Sequence, residues 1–145
     1  MTRELAFAGA MLLLACGCAK QERDPRPVAG SWVGEIEAVG EHGHSGFAVV
    51  ALLQDGGTRA NATATGGSAG GVHPWHIHEG SCDGDGPIVG EPDAYPLLRP
   101  DASGDASATV FIPTELSLDA EYSVHLHQSP DDDTLVGCGE LRRSV

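Results

Sequence analysis

The seven histidines of this chain fall into three groups: His42 with His44, His73 with His76 and His78, and His125 with His127. A neutral imidazole is the commonest metal-binding side chain. Two histidines separated by one residue on an extended chain point to the same side, close enough to share one small cation. The segments "VHPWHIHE" (Val72–Glu79) and "YSVHLHQ" (Tyr122–Gln128) alternate in this way. In the first, His73, Trp75 and Ile77 share the core face, and His76 and His78 take the other. In the second, Tyr122, Val124 and Leu126 point inward, while Ser123, His125 and His127 point to the solvent side. Two such strands within reach of each other supply a ligand set made only of imidazoles. That set suits copper, zinc, nickel or iron, with copper favoured by intrinsic affinity. His73 has core parity and reads as a buried structural histidine. His42 and His44 lie in "GEHGHSG", a turn, and read as polar side chains exposed to water.

The elements that must position these residues are strands. No long stretch has helical periodicity; short segments bounded by glycine, proline and aspartate recur, the rhythm of an all-β sandwich or barrel. Expected strands are Ser31–Val39, Ser45–Gln54, Thr58–Thr65, Val72–Glu79, Ala106–Pro113, Glu121–Gln128 and Thr134–Leu141. "QDGGT" and "PDASGD" are turns. Gly80–Leu98 is a long loop, and "TGGSAGG" (Thr65–Gly71) is low-complexity and flexible.

With 21 acidic and 8 basic residues the net charge is −13. Such a surface repels phosphate backbones and excludes nucleic-acid binding as a function. Behind Arg3, "LAFAGAMLLLA" is an apolar run too short to cross a bilayer but suited to a secretory signal. It ends in "LLLACGC", which resembles the lipobox of bacterial lipoproteins. That resemblance implies a signal over residues 1–15, cleavage before a lipidated Cys16 (Cys18 is the alternative), a polar tether over 16–29 and a folded domain over 30–145. A plain secreted protein is the competing reading. The implied location is extracytoplasmic, anchored by lipid to a bacterial membrane, in the periplasm or at the cell surface. Of the four cysteines, Cys82 and Cys138 then belong to the domain. In an oxidising compartment they read as a disulfide, with thiolate metal ligands as the alternative.

"HPWHIHEGSC" resembles the "HGFHVHE" strand of copper/zinc superoxide dismutases, and "GPIVG", "YSVHLHQSPDD" and "GCGEL" are similar to later blocks of that family. The likeness runs from about Gly30 to Leu141, strongest around the histidines. It implies a Greek-key β-barrel or sandwich of about eight strands. It also implies His76, His78 and His127 as copper ligands, His73 as a structural histidine, and a Cys82–Cys138 disulfide. The departures matter equally. Ile88 stands where the family has the histidine that bridges copper and zinc, and Val89–Asp105 contains no histidine for the remaining zinc ligands. Leu135 replaces the arginine that draws superoxide in, and Asp131, Asp132 and Asp133 lie nearby. The resemblance therefore implies copper without a zinc site. His125 shares a face with His127 and is an additional candidate ligand in place of the lost bridging histidine. The expected function is a lipid-anchored protein that buffers, sequesters or delivers copper. The alternative is a copper-only dismutase acting on superoxide.

Overall fold

The computed structural model describes residues 26–144. The expected signal over 1–15, the lipidation candidates Cys16 and Cys18, and most of the tether lie outside the described residues. Seven strands are present among those described: β1 (Val28–Ala38), β2 (Ser45–Leu53), β3 (Thr58–Thr65), β4 (Trp75–Glu79), β5 (Ala106–Ile112), β6 (Tyr122–Ser129) and β7 (Asp132–Arg143). All seven expected segments are strands, with ends displaced by at most three residues. The first strand begins ahead of the expected Ser31, because Val28 already pairs with Leu53.

The strands form one antiparallel sheet in the order β4-β6-β7-β1-β2-β3-β5, curled into a half-barrel. Short turns join β1 to β2 and β2 to β3. From β3 to β4, β4 to β5 and β5 to β6 the chain crosses between the two ends of the sheet. These crossings bring the two histidine-bearing strands, far apart in sequence, side by side. The count is seven where the family likeness implied about eight. The outer edge of β4 is instead met by two single-residue bridges from the long loop, His73 with Leu98 and His78 with Ile88.

Alternation builds the interior. Along β3 and β5 every second residue is buried, namely Thr58, Ala60, Ala62 and Ala64 and, opposite, Ala106, Ala108, Val110 and Ile112. The alanines among them share one buried cluster with Trp32 and Trp75, each 1% exposed. Trp32 meets Tyr122 edge-on, and Trp75 meets Tyr95 the same way. Burying one such large apolar side chain contributes about 1.5–3 kcal/mol. Ile77, Val124 and Leu126 are fully buried in the same cluster, so the inward faces of β4 and β6 are fixed. A slip of one residue would place histidines in this core, which strongly specifies the register.

Candidate metal centre

β4 and β6 pair antiparallel with His76 opposite His125 and His78 opposite Ser123. The β6–β7 register shifts between Leu126 and His127 and again before Ser129. Such bulges re-aim side chains. His127 is accordingly held by its own N–H on the Pro74 carbonyl at 2.9 Å, beside the start of β4. His76, His78 and His127 converge, one ring nitrogen of each lying within 4.8 Å of the others. Their ring centroids are 5.5 Å (His76–His127), 6.2 Å (His76–His78) and 6.4 Å (His78–His127) apart.

Backbone carbonyls orient two of the three rings. His78 Nδ1–H donates to Gly86 at 2.8 Å, and His127 Nδ1–H donates to Asp133 at 2.8 Å. Each leaves Nε2 as the donor atom toward the cluster, the arrangement by which outer contacts fix the tautomer of a metal-binding histidine. Gly86 reaches His78 only because it lacks a side chain: a Cβ there would sit 1.7 Å from the Glu79 carbonyl oxygen. His76 packs against the Tyr95 ring at 5.2 Å. Tyr95 is held in turn by its hydroxyl, which donates to the Val89 carbonyl at 2.7 Å.

His76 Nδ1 and His78 Nε2 are buried and have no hydrogen-bond partner within the protein. Leaving a buried polar atom unpaired costs about 1–3 kcal/mol. A cation between the three rings removes that cost, so the residues fit a metal ion. Burial, then His127 and His78, pull the His76 pKa down to about 4, against weaker opposition from the Pro92 backbone and Asp93. His76 is therefore neutral at physiological pH, the state a ligand requires.

His125 does not join this group. Its ring stacks on His78 at 4.1 Å with planes 17° apart, and its Nε2 pairs with Ser123 Oγ at 3.0 Å. Burial first, then His78, His127 and His76, lower its pKa to about 4. It clusters instead with the two cysteines. Cys82 and Cys138 are joined as a disulfide, which takes up both sulfurs and leaves no thiolate for a metal. The disulfide and the Cys82 N–H, which donates to Glu140 Oε1 at 2.9 Å, tie the long loop over this side of the sheet. That cover corrects the expected solvent side: Ser123 is fully buried and His125 is 6% exposed. What stays open is a cavity of about 320 Å³ lined by His78, His125, His127, Leu135 and the acids Asp83, Asp85 and Asp133. Ile88 bridges to His78 and packs on the core, an apolar side chain beside the cluster.

His73 is buried, and its Nδ1–H donates to the His127 carbonyl at 3.2 Å. His44 departs from expectation: it is buried at 8% exposure, its backbone N–H on the Val136 carbonyl at 2.8 Å. Only His42 of that pair is exposed. Tyr95 and the Gly86 and Asp133 carbonyls shape the centre, and no pattern in the sequence marks them: Tyr95 and Gly86 lie in a loop without periodicity, and Asp133 acts through its backbone at the start of β7. No protein-family model matches the chain, and no curated protein is significantly similar to it.

Proposed function

We propose that the chain is an extracytoplasmic copper-binding protein, anchored by a lipid at Cys16, with a superoxide dismutase-like domain that buffers, sequesters or hands on copper. The observation that carries this reading is the buried, unpartnered pair His76 Nδ1 and His78 Nε2 converging with His127. Three converging imidazoles on a curled half-barrel suit copper before other first-row divalent ions. His78 and His127 are pre-aimed by backbone carbonyls, so little ordering is left for the moment of binding. Bound copper supplies one-electron chemistry between its two oxidation states. The cavity admits small solutes, which keeps the dismutase as second reading. Its acidic lining and Leu135 in place of a cation disfavour an anionic substrate.

Calorimetric titration of the purified protein with Cu(II) tests the first reading. Tight uptake that His76→Ala removes is the expected outcome; no uptake overturns both readings. Superoxide removal at near-diffusional rates by the copper-loaded protein, lost in His76→Ala, makes the enzyme reading the correct one.

A further inference from the structure

His44 and His73 are left over by the three-histidine centre, and they face each other. Both are over nine-tenths buried, with ring centroids 4.4 Å apart and planes at 64°. They line a cavity of about 590 Å³ that His42 and Glu41 also border. His44 Nδ1 is buried without a hydrogen-bond partner. His73 spends Nδ1 on the His127 carbonyl, which leaves Nε2. The cover of this cavity is the glycine segment Thr65–Gly71. Expected to be flexible, it is held by hydrogen bonds from Gly67 N to Gly104, Gly70 N to Pro100 and Gly71 N to Ser68. Gly71 lies directly over His73: a Cβ there would come within 3.0 Å of Nε2 and 2.9 Å of the Ser68 carbonyl. A side chain at that position would fill the space in front of the ring nitrogen.

We propose that this cavity is a second cation site, where His44 and His73 hold a borderline divalent ion such as Cu(II) or Zn(II) and His42 and Glu41 complete the set. An apolar residue would pack here without a buried polar atom, and a hydrogen-bonding role would leave His44 Nδ1 partnered. A cation answers both objections, because it takes the lone pair of each imidazole. Histidine nitrogens with a carboxylate oxygen are an ordinary ligand set for such ions. Burial, and then His73, hold the His44 pKa below its usual value, with the Gly66 backbone opposing. The net charge of −13 concentrates cations around the protein. Two fixed donors and two from an exposed loop bind less tightly than three fixed imidazoles, because the loop must be ordered on binding.

Titrating the purified protein with Cu(II) should give two equivalents, the second at least about tenfold weaker than the first. His44→Gln should abolish the weak equivalent and leave the tight one. The double variant His76→Ala with His78→Ala should keep only the weak one. Circular dichroism and melting curves check that each variant is folded. The wild-type stoichiometry reads the proposal by itself where a variant does not fold. A single wild-type equivalent that His44→Gln leaves intact overturns this site. A single equivalent that His44→Gln removes sustains it and sinks the three-histidine centre instead, so the two failures are distinct.

Discussion

The two buried imidazole groups are built by different means. His76, His78 and His127 sit on paired strands, where register and alternation set which residues meet. The His44–His73 pair comes from chain outside any strand, a turn folded back against the approach to β4 and roofed by glycines. The first group is clamped by a disulfide and by carbonyls on two of its rings. The second has one such carbonyl, on His73, which is that of His127 itself. A strand-borne site is rigid because its backbone is already satisfied by the sheet. A loop-borne site depends on a few local hydrogen bonds. Closeness in sequence is a poor guide to environment: His42 and His44 are neighbours in a turn, yet one is exposed and the other buried.

The largest effect that separates the two regions comes from the disulfide. Reducing Cys82–Cys138, or replacing both cysteines by serine, removes a crosslink across 56 residues. The chain-entropy model gives a stability loss of about 4 kcal/mol. A denaturation curve should show it, with tight copper uptake weakened and the His44–His73 equivalent retained at temperatures where the protein stays folded. Equal weakening of both sites would mean that the disulfide supports the two histidine groups alike.

A smaller effect concerns His125. It touches His78 face to face and pairs with Ser123 but lies outside the converging nitrogens. His125→Ala should weaken copper about tenfold, the low end for residues that support ligands. A loss as large as that of His76→Ala would make His125 a fourth ligand after all.

The smallest effect, over the range from about pH 7 to about pH 6, is on stability of the metal-free protein. His76 and His125 have folded pKa values near 4 against 6.5 when unfolded. Above 6.5 both states are neutral there and these groups leave stability unchanged. As pH falls from 6.5 toward 4 the unfolded chain takes up protons that the folded chain refuses, so stability declines through that window. Melting temperatures of metal-free protein should fall accordingly. A flat profile would mean that these rings are more open to water than their burial indicates. Copper should steepen the profile, because ligands that the metal keeps deprotonated in the folded state add to the protons that only the unfolded chain takes up.

Much of the fold was legible because strands announce themselves locally. Alternation in "HPWHIHE" and "YSVHLHQ" put Trp75, Ile77, Val124 and Leu126 inside, and all four are buried. The same alternation treated His125 and His127 alike. Only the bulge after Leu126 distinguishes them, and a bulge belongs to the pairing with β7, which one strand's sequence does not contain. Parity likewise names a face without saying what lies over it. The long loop covers Ser123 and His125, and its placement rests on the contact between Cys82 and Cys138, distant in the chain.

By itself, the sequence determined the residue types, their alternation and hence the strands, the inward faces and the two histidine-bearing segments. Those are consequences of local geometry, since a strand's side chains alternate whatever it pairs with. The tertiary structure decided which imidazoles converge, which one stacks aside, which turn histidine becomes buried and which ring nitrogens are left without a partner. These depend on crossings between the ends of the sheet and on loops tied down far from where they begin, contacts that no local pattern encodes.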